Sequence, residues 1–342
     1  MTKKGNVSRR NFLKSTGAGA GLIGLGGYSL NVDPSGSGPE KTSPREVRVL
    51  TLTRSGNSFS PVPFERENVV SGIIERIRLM SLYKPDIICL FELFNGAPAK
   101  EAEPVPGPTT IAMSAIAKEL GSYIICPLHT KVEDRVYNSA VVIDRKGSII
   151  GQYNKIHPVT GEISNGVTSG TLPPPVFQTD FGKIGIQICF DINWIDEWKS
   201  LKDAGAEIVF WPSAYPGGRA LSAYAWMFKY YVVGSPWRDP ATIYDITGDI
   251  IASSGQYEHW AFAKLNLEKV FLEITDYSDK LNEIKKKYGP KVLIRYYHDE
   301  DWVTIESCSP DLRIKVILDE YNLVPHWDYI KIEEKEQAKY RK

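Results

Sequence analysis

The chain has 342 residues, 42% of them hydrophobic and 11% aromatic, which is enough to bury a large core, and one large α/β domain is the expected organisation. Its 41 basic and 41 acidic residues cancel to a formal charge of zero. That balance leaves no basic footprint for nucleic acid and no acidic tail, so a small neutral or weakly charged ligand fits better than a polyanion.

The first residues are not fold material. Lys3, Lys4, Arg9 and Arg10 precede a Gly/Ala-rich stretch from Ala18 to Leu30 that is too short and too glycine-rich for a stable membrane span, so residues 1–30 are expected to be a targeting signal. Ser8-Arg9-Arg10-Asn11-Phe12-Leu13-Lys14 resembles the bacterial twin-arginine export motif, which places the mature protein in the periplasm or outside the cell. With no cysteine near the end of the apolar stretch, no lipid anchor is expected, and no further segment reads as a span. Residues 31–45 are rich in Pro, Gly and Ser without periodicity and read as a disordered linker.

The fold is expected to begin with a strand at 47–53. Over 64–83, Val69, Val70, Ile73, Ile77, Met80 and Leu82 recur at helical spacing, and Pro85 stops that helix. A buried strand then runs over 86–92, a second helix over 109–120 with Thr109 or Thr110 as cap, and a strand over 123–129. Two hairpins follow, at 138–156 around Asp144-Arg145-Lys146-Gly147 and at 176–188 around Thr179-Asp180-Phe181-Gly182. A helix at 195–204, a strand at 208–211, an aromatic-rich helix at 218–231 and strands at 232–235 and 241–253 complete the pattern. Helices alternating with strands and hairpins argue for a mixed sheet. Beyond residue 275 the chain offers a charged helical stretch at 280–287, an aromatic and polar segment at 295–305 and a charged tail.

Three strand ends carry groups that a packed core would not choose. Lys183-Ile184-Gly185-Ile186-Gln187-Ile188-Cys189-Phe190-Asp191 delivers a thiol to a strand-to-helix turn, although a lone cysteine also packs as a small hydrophobe. Asp86-Ile87-Ile88-Cys89-Leu90-Phe91-Glu92 ends in a carboxylate, and Ile149-Ile150-Gly151-Gln152-Tyr153-Asn154-Lys155 in an ammonium, with Glu162 in the Gly161-Glu162 turn beyond. Phe91-Glu92-Leu93, Tyr153-Asn154-Lys155-Ile156-His157-Pro158 and Ile188-Cys189-Phe190-Asp191 resemble, in order and in surroundings, the signatures of the carbon-nitrogen hydrolase (nitrilase/amidase) superfamily.

The resemblance covers roughly 46–275 and implies a four-layer α-β-β-α sandwich. It also implies a hydrolase of small amides or carbamoyl amines working through a cysteine thioester. Cys189 is then the nucleophile, Glu92 the base, Lys155 with the Phe190 N–H the oxyanion holder, and Glu162 the group that orients Lys155 or the substrate nitrogen and keeps the lysine charged. Tyr137, Trp194, Trp211, Ser213 and Tyr215 are the candidate pocket residues. Residues 276–342 are expected to support a homodimer or higher homo-oligomer, as C-terminal segments do in this superfamily.

Cys89, Cys126 and Cys308 lack metal-ligand or redox spacing, so no metal and no cofactor is expected. Asn193-Trp194-Ile195-Asp196-Glu197 departs from the aromatic-Pro-Glu run that many members carry after the cysteine. The acyl group and amine are therefore open, a small nitrile is the alternative substrate, and a non-catalytic exported binding protein is the alternative class. A Cys-His arrangement through His129 or His157 is the lesser mechanistic alternative.

Overall fold

Alternate residues of the first strand divide between two cores. The computed structural model describes residues 45–54, 66–255, 258–274 and 277–341. Within it Glu46–Leu52 (β1) sends Val47 and Val49 into a core shared with a second sheet, and Leu50 and Leu52 into one shared with helices. β1 is buried on both faces, so the polar–apolar alternation of Glu46-Val47-Arg48-Val49 does not continue through Leu50 and Leu52.

The first sheet is completed by Ile87–Cys89 (β2), Tyr123–Val132 (β3), Arg135–Ile143 (β4), Ile149–Asn154 (β5) and, returning from late in the chain, Trp260–Asn266 (β12), in the order β12-β1-β2-β3-β4-β5. The second sheet has the order β11-β10-β9-β8-β7-β6. Its strands are Val176–Gln178 (β6), Lys183–Ile186 (β7), Ile208–Ser213 (β8), Tyr231–Pro236 (β9), Thr242–Tyr244 (β10) and Ile250–Ser253 (β11). Each sheet contains three adjacent parallel strands, β1-β2-β3 and β7-β8-β9, flanked by antiparallel ones.

Helices cover the outer faces. Arg66–Met80 (α1) and Pro108–Leu120 (α2) bury Ile73, Ile77, Met113 and Ile116 against the first sheet, while Ile195–Asp203 (α4) and Arg219–Phe228 (α5) bury Trp198, Leu201, Leu221 and Ala225 against the second. The layers are thus helix, sheet, sheet, helix, the four-layer sandwich expected. Between the sheets, Thr51 Oγ1 donates to Gly234 O at 3.0 Å, and Ser235 Oγ lies 2.7 Å from Leu52 O and 3.1 Å from Cys89 O.

Element boundaries differ from the sequence reading where tertiary contacts decide them. The helix expected at 64–83 is α1 followed by a tighter turn at Ser81–Tyr83, with residues 64 and 65 outside the described set. The strand expected at 86–92 pairs only over β2; past Cys89 the chain keeps single bonds to β3, from Leu90 N to Ile125 O and from Phe94 N to Pro127 O, both 3.2 Å, as it leaves the sheet toward Glu92. β3 and β4 continue beyond the expected limits into a hairpin closed at Val132↔Arg135, where Glu133 takes a φ of +54°. The expected signal peptide 1–30 and linker 31–45 lie outside the described residues, apart from Arg45.

The C-terminal region has its own core. Lys269–Glu273 (β13), Val292–Tyr297 (β14) and Trp302–Ser307 (β15) form a sheet ordered β13-β15-β14, packed with Ser278–Tyr288 (α6) and Ile314–Tyr321 (α7). The Lys229 ammonium, at the end of α5, is enclosed by Trp226, Phe271 and Trp302, with ring centroids 3.6, 3.9 and 4.7 Å away. His326–Ala338 (α8) lies across this chain's own α4 and α5, with Trp327 against Phe228 and Lys331 paired with Asp203 at 2.8 Å.

Trp198 joins this scaffold to the turn that follows β7: it is wholly buried, stacks on Tyr224 at 4.3 Å and donates from Nε1 to Asp191 O at 3.1 Å. Trp198→Ala should therefore lower unfolding free energy by about 3–5 kcal/mol, the range for emptying a buried tryptophan site, as measured by urea denaturation. A loss below about 1 kcal/mol would mean that the site collapses without consequence for the turn.

Candidate functional site

The four chemistry-bearing side chains arrive on separate elements, each by a local device. Glu92 follows β2, and the chain turns away at once because Leu93 takes the left-handed conformation, φ +51°. Lys155 follows β5; its N–H donates to Asn138 O and its carbonyl accepts from Gly170 N, both at 2.8 Å. A side chain at position 170 would strike Asn154 O at 2.1 Å, so only glycine allows that approach. Glu162 sits on the single-turn helix Thr160–Ser164 (α3), where its Oε2 accepts the Val159 N–H at 2.7 Å. Cys189 leaves the second sheet just past β7 with φ +46°, an uncommon value for a residue bearing a side chain.

These elements bring the two glutamates around one buried ammonium. Lys155, 2% exposed, donates from Nζ to Glu92 Oε1 at 3.0 Å and to Glu162 Oε2 at 2.7 Å. Asn138 on β4 closes the arrangement, its Nδ2 donating to Glu92 Oε1 at 2.8 Å and to Glu162 Oε1 at 2.7 Å. Burial alone would drive Lys155 toward the neutral amine, yet Glu92, Cys189 and Glu162 outweigh it and hold the lysine above its ordinary pKa. Burial also opposes the charge of Glu162, but Lys155, Asn138 and the Val159 N–H bring it below the usual carboxylate range. The Cys189 thiol is pushed up to about 11 by burial and by Glu92, against the pull of Lys155, the Ala214 N–H and the Ser213 hydroxyl. The site therefore holds a permanent cation, an ionised Glu162 and, at neutral pH, a protonated thiol.

Asp191, two residues past the thiol, is the keystone of the turn. Its carboxylate accepts Tyr153 OH at 2.7 Å, Ile188 N at 2.9 Å and His157 N at 2.8 Å, while burial lifts its pKa to about 6 against those bonds. One side chain thus ties the cysteine turn to the end of β5 that delivers Lys155. From Trp211 Nε1 a further hydrogen bond reaches Cys189 O at 3.1 Å.

The remaining sequence candidates divide by exposure. Phe190 and Trp194, 39% and 37% exposed, form an aromatic shelf beside the nucleophile, edge to face at 5.3 Å. Trp211 and Ser213 are wholly buried, so they support the turn from below and present no open surface. Tyr215 lies close enough to the centre that burial, Cys189 and Glu92 push its hydroxyl up to about 12. Tyr137 is half-buried on β4, opposite Thr130. His157 engages Glu197 Oε1 at 3.1 Å and stacks flat on Trp194 at 3.6 Å, and it is not bonded to the thiol. His129 bonds Ala97 O at 2.8 Å, and burial keeps it below its ordinary pKa.

Sequence reasoning missed Asn138, which stands just before the buried run Ser139-Ala140-Val141-Val142 and whose partners Glu92 and Glu162 are distant in the chain. It missed Trp237 as well, whose indole donates to Glu92 O. A cavity of about 490 Å³ opens behind Glu92, with Arg54, Ile73, Phe91, Phe94, His129 and Trp237 among its walls. Neither Cys189 nor Lys155 lines it.

The chain also resembles known proteins. The carbon-nitrogen hydrolase family model matches residues 54–270. A β-ureidopropionase from Arabidopsis thaliana is 31% identical over 194 residues, covering 51% of this chain and 47% of the relative. An N-carbamoylputrescine amidase from Solanum lycopersicum is 34% identical over 142 residues, covering 38% of this chain and 47% of the relative. The chain thus spans about half the length of these curated relatives. Among solved structures, Saccharomyces cerevisiae Nit3, a member of branch 10 of the nitrilase superfamily, superposes with a TM-score of 0.58 at 20% identity, covering 66% of this chain and 92% of that one, a likeness of fold.

A thiol held near 11 has a direct signature. The ultraviolet thiolate absorbance of the protein minus that of Cys189→Ser should stay flat through neutral pH and rise only in the alkaline range. A full thiolate signal at pH 7 would overturn the electrostatic description of the site.

Proposed function

We propose, from the premise that this chain belongs to the carbon-nitrogen hydrolase family, that it cleaves a non-peptide carbon-nitrogen bond of a small amide or carbamoyl amine through a thioester on Cys189. The observation that carries this reading is the lysine buried between two carboxylates beside a neutral thiol. A protonated thiol is a weak nucleophile and needs a base within reach as it attacks. Glu92 takes that role.

In the first half-reaction Sγ bonds to the substrate carbonyl carbon as Glu92 takes the thiol proton. The negative charge formed on oxygen is met by Lys155 and the Phe190 N–H. Glu92 then gives the proton to the leaving nitrogen, the C–N bond breaks and the amine departs. Water attacks the thioester in the second half, with its proton passing through Glu92 to the departing sulfur, which releases the acid and restores the thiol. Glu162 keeps Lys155 charged and aligned throughout.

The names of the two curated relatives, a ureidopropionase and a carbamoyl amine amidase, favour ureido or amide substrates over nitriles. The shelf of Phe190, Trp194 and Tyr215 then contacts the substrate. The same reading makes residues 1–30 a twin-arginine signal and 31–45 a linker, and places the mature protein in the periplasm or outside the cell as a homodimer or higher homo-oligomer.

Ammonia release over a panel of short amides, ureido acids and nitriles tests the activity, and mass spectrometry of quenched enzyme should place the acyl group on the Cys189 peptide. Cys189→Ala should abolish both adduct and turnover, and a chelator should change neither. An alanine variant that still hydrolyses the parent's substrate would refute the thioester. Lys155→Met should lower the kcat of the folded enzyme by about 10²–10³-fold, the loss expected for an oxyanion donor, in addition to lowering its stability. Lys155→Arg should not restore it, because a planar guanidinium cannot take the place of a compact ammonium. Exchanging Arg9 and Arg10 for lysine should retain the protein in the cytoplasm, and unchanged export would end the localisation claim.

A further inference from the structure

We infer that Asn138 is a positioning residue for this reaction: its side-chain amide clamps Glu92 and Glu162 to each other independently of Lys155, so that the base stays aimed while the lysine attends to the substrate oxygen. The inference rests on the reading of Glu92 as base. It begins from a closed ring of four hydrogen bonds. Lys155 Nζ reaches Glu92 Oε1 and Glu162 Oε2, and Asn138 Nδ2 reaches Glu92 Oε1 and Glu162 Oε1, all between 2.7 and 3.0 Å.

Two donors bridge the same pair of carboxylates, but they differ in what else they do. Lys155 must share its protons with charge developing on the substrate, and any movement toward that charge loosens its hold on Glu92. Asn138 has no such second duty. Its backbone sits in the β4 register, paired with His129 across β3, and its carbonyl holds the Lys155 N–H at 2.8 Å. The amide is thus fixed to the strand that carries the lysine's own anchor, and it is wholly buried.

The chemistry explains why an amide stands here. A second cation would sharply reduce the basicity of Glu92, while a carboxylate would be repelled by both glutamates. Only a neutral group with two donors satisfies both, and among short side chains asparagine supplies it. The orientation is fixed by the same logic, since reversing the amide would face Oδ1 toward two carboxylates. The consequence is visible: Asn138 Oδ1 is buried with no hydrogen-bond partner. An unmet buried acceptor costs free energy, so packing alone would not select this residue, whereas the double donation does.

The test reads Cys189 directly and needs no knowledge of the substrate. Iodoacetamide labelling of Cys189, followed by mass spectrometry across pH, should fall on the acid side as the base becomes protonated. Asn138→Leu removes the donor, which favours the protonated carboxyl. Its acid limb should move to higher pH by about one unit, so that labelling at a fixed pH on the limb is about tenfold slower. Asn138→Asp, isosteric and therefore informative if the leucine variant does not fold, should move the limb at least as far. A folded variant that labels more slowly at every pH, with its limb where the parent's is, would show Asn138 to be merely structural and overturn the proposal. Glu92→Gln separates the two layers, because it should abolish the limb as a distinct break in the profile and leave only labelling that rises steadily toward the alkaline titration of the Cys189 thiol. If it does so while both Asn138 variants keep the parental limb, the role of Asn138 alone is wrong; if the glutamine variant keeps the limb, the base assignment is wrong and the clamp falls with it.

Discussion

An ammonium taken out of water is the constraint on which the rest of the structure depends. Lys155 is 2% exposed, and removing one partner of such a pair commonly destabilises a protein by about 3–5 kcal/mol because the other charge is left uncompensated. The cluster therefore demands that the ends of β2, β4 and β5 and the α3 turn meet within hydrogen-bond distance. Sheet order makes this geometrically cheap: β2, β3, β4 and β5 are consecutive neighbours in the first sheet, and the second sheet approaches from across the inter-sheet core with Cys189 at its edge. Ser235, bonding across to Leu52 and Cys89, fixes the spacing of the sheets close to where Glu92 emerges.

Backbone strain appears where the chain must change direction without losing a reactive group. Cys189 itself and Leu93, the residue after Glu92, both occupy the left-handed region, which side-chain-bearing residues adopt at a conformational cost. At Cys189 that cost is offset by Asp191, whose three accepted hydrogen bonds bind the turn to Tyr153 and His157. Asp191 is thus a structural partner of the thiol, and its own burial explains why its proton affinity rises while it remains fully engaged.

What the sequence disclosed follows from this division. The buried strands were legible because an apolar run of β-branched residues has few alternatives, and Glu92, Lys155 and Cys189 were legible because each breaks such a run with a polar group. Boundaries were not, since β2 stops where its pairing stops, at Cys89, and nothing in Leu90-Phe91 announces that the ladder has ended. Asn138 escaped because its significance lies in partners 46 and 24 residues away, which periodicity cannot relate. Trp211 was expected at the pocket wall by its position on β8, yet strand alternation and its bond to Cys189 O turn it into the floor beneath the turn. The C-terminal sheet was hidden for a different reason. Arg295 to Ile305 spans most of a hairpin whose pattern is blurred by aromatic residues that serve Lys229 and His326.

Charge counting within the site links its architecture to the chemistry proposed for it. Lys155 contributes one positive charge and Glu162 one negative charge, with the carboxyl of Glu92 beside them, so a resting thiolate would add further negative charge in a poorly solvated place. Burial first, and then Glu92, hold the Cys189 thiol near 11 against the pull of Lys155, in contrast to an ion pair with an imidazolium, where the partner is positive and the thiolate is favoured. In the proposed reaction, neutral sulfur gives up its proton only as its electrons go to carbon, and the negative charge appears on the substrate oxygen, where Lys155 can meet it. The surplus carboxylate is then no defect. It withholds charge from sulfur while no carbonyl is present, and the thiolate is the form that oxidants attack.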